Sequence, residues 1–243
     1  MSKYWDIPVY DQPSEESLKK KASETAKRSQ KKGKVLHPII VSGRAITKSW
    51  WGKAWCANLE RYADFASRID RGKRYVRTGT VVDLQISEGR VEARVQGRRK
   101  APYKVEVRIS RLSEERCQQI IDRCGSQIKN VEELLSGRIP VELQELFMSG
   151  DGLFPTPREI SFSCSCPDWA LMCKHVAATL YGIGVRFDED PLLFFRLRGI
   201  EVDRFVGVAL ESRIERMIQN AETPSDRIIE DANLMEVFGI GGF

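Results

Sequence analysis

Hydrophobic and polar residues alternate between Tyr75 and Ile109, and this period of two predicts antiparallel strands. The alternation forms three runs that follow one another along the chain, 82–86, 91–95 and 105–109. The same pattern leaves open a further strand at Tyr75–Gly79. Because a small sheet is stable only when a second layer covers its apolar face, a helix is expected to pack against it.

The helix predicted to cover this sheet lies between residues 46 and 69, where apolar residues recur at helical spacing after a cap at Ser49. Aromatic residues on a helical stripe are typical of a core, so Trp51 and Trp55 are predicted to be buried. A platform on which nucleic-acid bases stack is the alternative interpretation. Trp50 lies off the stripe and is predicted at a surface or an interface.

The remaining patterns are mainly helical. A helix is predicted from Ser113 to a stop at Gly125, and others are predicted at 130–136, 140–148, 188–197 with an acidic start, 202–219 and 225–237. A strand is predicted at Glu159–Ser163, after a break rich in glycine and proline. The predicted fold class is α+β, with an antiparallel sheet, a covering helix, a helical connector, a small metal-binding finger and a helical C-terminal region. The predicted units are a basic irregular N-terminal arm at 1–45, a helix-plus-sheet unit at 46–110, the connector at 111–156, the finger at 157–187 and the C-terminal region at 188–243.

The strongest chemical signal is a set of four metal ligands within twelve residues, Cys164, Cys166, Cys173 and His175. Three thiolates and one imidazole form a tetrahedral set for one structural Zn²⁺, in which protein fills every position. Residues two apart point to opposite faces of a strand, so Cys164 and Cys166 need a tight turn between them. Residues two apart also diverge on a helix, so Cys173 is predicted just before a helix and His175 in its first turn. Gly182 is predicted to end that helix.

Three residues near these ligands have predicted roles in packing or charge balance. Phe162 and Trp169 are predicted to pack over the metal site without contacting a ligand. Three thiolates and Zn²⁺ carry a formal charge of about −1, and Lys174 is predicted to offset it together with nearby amide groups.

The ligand pattern, Cys-x-Cys followed by Cys-x-His and a helix of small apolar residues, resembles the SWIM-type zinc finger. The resemblance is carried by Ile160–Trp169 and Cys173–Ala178. Softer likenesses to bacterial SWIM zinc-finger family proteins lie at Trp50–Cys56, Pro102–Val105 and Phe238–Ile240. The resemblance implies binding of DNA or protein, with a Swi/Snf-type helicase-like ATPase as an expected partner.

The charge is distributed unevenly along the chain. Residues 1–110 carry 25 Lys and Arg against 12 Asp and Glu, whereas the remainder carries 14 against 22, so an anionic partner is expected to meet the N-terminal half. The run from Lys19 to Lys34 is interpreted equally well as a nucleic-acid arm or as a solvated, partly helical tail. Basic outward and turn positions of the predicted sheet favour a nucleic-acid platform. The resemblance to the SWIM-type family makes DNA the more expected nucleic acid. The candidate contacts of the platform are Arg71, Lys73, Arg74, Arg77, Arg98, Arg99, Lys100 and Lys104.

The other cysteines are predicted to act as small buried hydrophobic residues, although a metal or redox role for Cys117 and Cys124 is the alternative. The chain has six Cys, and its N-terminus lacks an apolar signal core, which favours reduced thiols and a cytoplasmic location. No run of about 18 apolar residues predicts a membrane span.

Enzyme signatures are missing from the sequence. The phosphate-binding loop of ATPases, the zinc-deaminase motif and His-Glu-x-x-His do not occur. The prediction is therefore a non-catalytic protein that binds nucleic acid, a protein partner or both. A pure adaptor and a carboxylate-based nuclease are the alternatives.

Overall fold

The computed structural model describes residues 13–60, 66–127, 141–150 and 152–201, together with single positions between 203 and 218. Seven helices have their bounds in this part of the chain: α1 Glu15–Lys31, α2 Trp50–Glu60, α3 Ala66–Arg77, α4 Glu114–Gln127, α5 Val141–Met148, α6 Lys174–Glu189 and α7 Leu192–Leu197. Four strands lie between them: β1 Val81–Ser87, β2 Arg90–Val95, β3 Tyr103–Ile109 and β4 Ile160–Cys164. The α+β class is confirmed. None of the described helices is both long enough and apolar enough to cross a membrane.

The four strands form one antiparallel sheet in the order β1-β2-β3-β4. The three predicted strands are confirmed, and the strand predicted at 159–163 is present as β4. Because β4 is hydrogen-bonded to β3, with Val105 opposite Cys164, the sheet continues across the break predicted between the helix-plus-sheet unit and the finger. The metal-ligand segment is therefore built onto the sheet.

The helix that lies directly on the sheet is α6, which packs against all four strands, while α2 and α3 pack on α6. Twelve of its sixteen residues are buried, which is the composition of a helix enclosed on every side. Trp51 and Trp55 are completely buried, as predicted. They contact α6 and α7, and the Trp55 indole donates a hydrogen bond to the Leu180 carbonyl at 2.8 Å. The covering layer thus differs from the expected one, because the Trp-rich helix lies outside α6.

Trp50 is the least buried of the three tryptophans of α2. It is half-buried, and its ring lies 4.9 Å from the Trp51 ring and 6.0 Å from the Phe154 ring. This position agrees with the prediction of a surface or an interface, since Phe147 and Phe154 cover only part of the ring.

The possible strand at 75–79 is not present, because α3 continues to Arg77. Ile69, Gly72 and Tyr75 lie three residues apart and face α6, which is a helical period. A Cβ at Gly72 would lie 2.4 Å from the Ala177 Cβ, so this glycine allows the two helices to cross closely.

Gly182 does not end the finger helix, since α6 continues to Glu189. A Cβ at Gly182 would lie 2.9 Å from Leu84 Cδ1, and one at Gly184 would lie 3.0 Å from Cys56 Sγ. Both glycines therefore serve close packing against β1 and α2. Gly125 likewise does not stop α4, which continues to Gln127.

The prediction of an irregular N-terminal arm is wrong for residues 15–31, which form α1. Ser14 caps this helix by accepting a hydrogen bond from the Ser17 amide at 3.2 Å. Leu18, Ala22 and Thr25, at helical spacing, are its buried residues, and α1 packs beside β1.

The other predicted helices have mixed outcomes. The helix at 140–148 is confirmed as α5, and the helix predicted at 188–197 is present as α7 from Leu192. Its predicted acidic start is wrong, because α6 continues to Glu189 and Asp190 is its C-cap. The described positions between 203 and 218 are helical, which agrees with the helix predicted there. The helices predicted at 130–136 and 225–237 lie outside the described residues.

Candidate metal centre

Two turns of the chain bring the four ligands together. Cys164 ends β4, and the next residue, Ser165, continues the pairing with β3: its amide donates to the Lys104 carbonyl, and its Oγ accepts from the Lys104 amide, both at 3.0 Å. The chain then turns and delivers Cys166. Cys173 is the N-cap of α6 and His175 lies in the first turn, as predicted.

The ligand atoms of these four residues lie within 4.8 Å of one another. The His175 Nδ1 atom lies 3.9 Å from the Cys164 Sγ and 3.9 Å from the Cys173 Sγ. Zinc bond lengths of about 2.3 Å to sulfur and about 2.0 Å to nitrogen put tetrahedral ligands roughly 3.5 Å apart. The donor set therefore fits a tetrahedral ion once the side chains move closer together, and Nδ1 is the imidazole nitrogen that faces the thiols.

The thiols of the cluster differ in acidity. A hydrogen bond with the Cys164 thiol lowers the pKa of Cys173 to about 4, and the same interaction raises the pKa of Cys164. Burial raises the pKa of Cys166. Cys173 is therefore the most acidic thiol of the cluster, and a bound metal ion would favour the thiolate form of all three cysteines.

The Nε2 side of the His175 imidazole is enclosed by residues that the ligand spacing did not indicate. His175 is buried, and its Nε2 atom has no hydrogen-bond partner. The Tyr103 ring stacks on the imidazole with centroids 4.3 Å apart, and the Tyr75 ring meets it edge-on at 5.5 Å. Gly97, which precedes the basic turn between β2 and β3, lies against Nε2. Packing, rather than a carboxylate or carbonyl, therefore orients this ligand.

Replacing Gly97 with alanine should weaken metal binding. The added Cβ would lie 2.6 Å from the Tyr103 ring and 3.1 Å from His175 Nε2, so the imidazole must shift. Changes around a metal ligand typically lower affinity by about ten- to a hundredfold. Competition with a chromogenic chelator measures this loss. The control is Gly150→Ala, whose Cβ would meet no atom within 4 Å, and equal zinc affinity in both variants would contradict the prediction.

The loop between the two ligand pairs does not cover the metal site as predicted. Trp169 is 84% exposed and Leu171 is 76% exposed, because the loop turns outward from the cluster. Asp168 fixes this turn by accepting from the Ala170 amide at 3.3 Å and by pairing with Arg68 on α3. Phe162 is half-buried and packs against the core. The predicted role of Trp169 is therefore wrong, whereas the charge-balancing role of Lys174 stays a prediction.

Four of the predicted nucleic-acid contacts lie on α3 rather than on the sheet. Lys73 pairs with Glu60 at 2.9 Å, and Arg74 donates to the Pro13 carbonyl at 3.2 Å. Arg77 is exposed and donates to the Arg44 carbonyl at 3.5 Å, and Arg71 is half-buried. Because residues 66–77 are helical, these four side chains are not outward positions of the sheet.

The exposed face of the sheet is nearly balanced in charge, which corrects the prediction of a basic face. Its basic residues are Arg90, Arg94, Lys104 and Arg108, and its acidic residues are Asp83, Glu92 and Glu106. Glu106 accepts from Arg90 at 3.0 Å and from Arg108 at 2.6 Å. These pairs hold the pKa of Glu106 below its usual range. Cross-strand neighbours thus neutralise much of the positive charge on this face.

The positive charge is instead concentrated where α1 crosses the β2–β3 turn. Lys21 Nζ donates to the Arg98 carbonyl at 2.8 Å, and Arg28 donates to the Lys100 carbonyl at 2.9 Å. Thr25 donates to Gln96 Oε1 at 2.7 Å in the buried layer below. Because α1 is fastened to the turn through backbone carbonyls, the two basic segments form one surface. We call this surface, Lys19–Lys34 with Arg98–Lys100, the basic ridge.

The remaining described cysteines are packing residues. Burial raises the pKa of Cys56 to about 12, and Cys117 is buried with its thiol 3.9 Å from the Leu112 carbonyl. The side chain of Cys124 lies outside the described residues.

The fold and the site define an α+β protein with a Cys₃His candidate metal centre set into the edge of its sheet. The chain is 38% identical over 159 residues to the uncharacterized protein Rv2102 of Mycobacterium tuberculosis. The match covers 65% of this chain and 57% of that protein, so it spans little more than half of the relative's length. No family model matches the chain, and no solved structure matches it.

Proposed function

We propose that this protein is a zinc-stabilised, non-catalytic protein that binds nucleic acid through the basic ridge. The observation that carries the proposal is the fastening of α1 across the β2–β3 turn. The run Lys19–Lys34 has eight basic residues and one acidic residue, and the turn adds three more basic residues. A dense row of cations can neutralise the phosphates of a nucleic-acid backbone and release their counterions.

The donor set supports zinc as the metal. Three thiolates with one imidazole suit Zn²⁺, and four protein ligands leave no position for water or substrate. Within the described residues this is the one cluster of three or more potential ligands. The ion would therefore stabilise the fold and leave the protein without a catalytic metal, which supports a binding protein over an enzyme.

The SWIM-type spacing supports a place in that family, although no family model matches the chain. On that resemblance we also propose a Swi/Snf-type ATPase as a protein partner. DNA is proposed as the nucleic acid, because the same resemblance implies it.

Oligonucleotide binding should depend steeply on salt and should weaken when the turn loses its charge. The variant Arg98→Gln/Arg99→Gln/Lys100→Gln removes three cations from the basic ridge. Each phosphate contact with duplex DNA contributes about 0.9 to the slope of log K against log salt, so the slope should fall by about two to three. Fluorescence anisotropy at several salt concentrations measures both the affinity and its slope against salt.

The matched control is Arg90→Gln/Arg94→Gln/Arg108→Gln, which removes three cations from the balanced sheet face. This variant should bind nearly as well as the wild type, because these cations lie near the carboxylates of the same face. If both triple variants lose the same affinity, binding depends on overall charge and the ridge is not the interface. If the wild type binds no oligonucleotide even at low salt, nucleic-acid binding itself is refuted.

A protein adaptor is the second candidate function, and the finger loop favours it. Trp169 and Leu171 are large apolar side chains held outward by a loop that metal ligands fix at both ends. Buried aromatic anchors contribute much of the binding energy in protein interfaces. Under this alternative, Trp169→Ala should abolish binding of the partner ATPase, whereas the triple variant of the turn should leave it unchanged.

A further inference from the structure

The basic turn is packed directly on the candidate metal centre, although its residues are far from the ligands in sequence. The Arg99 guanidinium lies 5.3 Å from the centroid of the Tyr103 ring, within the range of a cation–π interaction. The Tyr103 ring also stacks on the imidazole of His175, with centroids 4.3 Å apart and the planes 29° apart. A continuous stack therefore joins a cation of the ridge to a metal ligand.

Both ends of the turn are held by the metal-binding segment. At its start, Gly97 lies against His175 Nε2, and a methyl group at this position would displace the Tyr103 ring or the imidazole. At its end, Lys104 exchanges two hydrogen bonds of 3.0 Å with Ser165, the residue between two of the thiol ligands. The turn is thus clamped between the imidazole and the Cys-Ser-Cys segment.

We infer that metal occupancy and phosphate binding at the turn are energetically coupled, with Tyr103 as the positioning residue that connects them. A metal ion on Nδ1 fixes the plane of the imidazole, and the stacked Tyr103 ring follows that plane. Arg99 is then held in place before a phosphate arrives, so less conformational freedom is lost on binding. The inference rests on the proposed function, because the phosphates are those of the bound nucleic acid.

Thermodynamic linkage makes this coupling testable from the metal side. If metal raises the affinity for nucleic acid, bound nucleic acid must raise the affinity for metal by the same factor, typically about fivefold or more. A saturating oligonucleotide at low salt should therefore reduce the transfer of zinc to a chromogenic chelator at equilibrium. This measurement reads out metal retention and does not depend on activity.

Two tyrosine variants separate the stack from general loosening of the site. Tyr103 and Tyr75 both pack on His175, but Arg99 lies over the Tyr103 ring. Tyr103→Leu and Tyr75→Leu should both weaken zinc binding without oligonucleotide. At saturating oligonucleotide, zinc retention should still increase severalfold in Tyr75→Leu and should not change in Tyr103→Leu.

A surface variant keeps the test decisive if either tyrosine variant folds poorly. Arg99 is exposed, so Arg99→Gln is expected to fold, and its zinc affinity without oligonucleotide serves as its own baseline. At saturating oligonucleotide it should show less than half of the wild-type gain in zinc affinity. An undiminished gain in Arg99→Gln or Tyr103→Leu would overturn the inference, as would a wild type that binds oligonucleotide without any change in zinc affinity. Failure of the zinc-loaded wild type to bind oligonucleotide would overturn the proposed function, and the inference with it.

Discussion

Replacing Cys173 with serine should abolish stoichiometric zinc binding and destabilise most of the fold. Cys173 is buried, caps α6 and carries the most acidic thiol of the cluster. Structural zinc sites bind with about 10–16 kcal/mol of apparent free energy in small fingers, and a whole domain is typically stable by only about 5–15 kcal/mol. Because α6 lies on all four strands, losing its anchored start should affect the sheet as well as the finger.

Elemental analysis and circular dichroism would check this result. The wild type should carry one equivalent of zinc, and a chelator should lower both its helical signal and its thermal midpoint. The control is Cys117→Ala, which removes a buried thiol that lies outside the cluster and should leave the zinc content unchanged. A Cys173→Ser protein that retains one equivalent of zinc would show that Cys173 is not a ligand.

The sequence was sufficient to predict structure where the pattern involves only neighbouring residues. The period of two in residues 82–109 predicts the strands, because one face of each strand is buried. The ligand spacing predicts a turn after Cys164 and a helix start after Cys173, because neighbouring ligands must converge on one point. Neither prediction needs knowledge of distant residues.

Predictions failed where tertiary packing decides the structure. Leu18, Ala22 and Thr25 are the buried residues of α1, so its charged composition concealed a helix. Gly182 was expected to end a helix but serves close packing against β1. Helix and strand preferences are weak compared with such contacts.

The arrangement around the metal centre was likewise beyond the sequence. Gly97 and Tyr103 precede the ligands by some seventy residues, and no spacing rule links them to His175. The sequence also suggested two separate basic segments, whereas Lys21 and Arg28 join α1 to the turn through backbone carbonyls. The basic ridge is therefore a product of the fold, while the candidate ligand set is already visible in the sequence.

A second large effect is expected from Glu159→Gln, which leaves a buried guanidinium without its counter-ion. Arg198 is completely buried, and it donates to Glu159 at 2.8 Å and to the Ser110 carbonyl. Breaking one side of a buried ion pair typically costs about 3–5 kcal/mol. Chemical denaturation should show that the free energy of unfolding falls by about 3 kcal/mol, because glutamine can still accept one hydrogen bond. The control is Glu106→Gln on the exposed sheet face, where solvent screens the ion pairs and the loss should be much smaller.

The effect of Glu159→Gln should also depend on pH in a defined direction. Burial disfavours the charge on Glu159, but hydrogen bonds from Arg198 and Thr156 outweigh it and hold the pKa below its usual range. The folded state therefore binds this proton less readily than the unfolded state, so the stabilisation is complete above the ordinary pKa of about 4.3 and falls as the pH drops through the folded pKa. The difference in unfolding free energy between wild type and variant should narrow below about pH 4. A difference that stays constant from neutral pH down to pH ~3 would mean that the carboxylate charge does not stabilise Arg198.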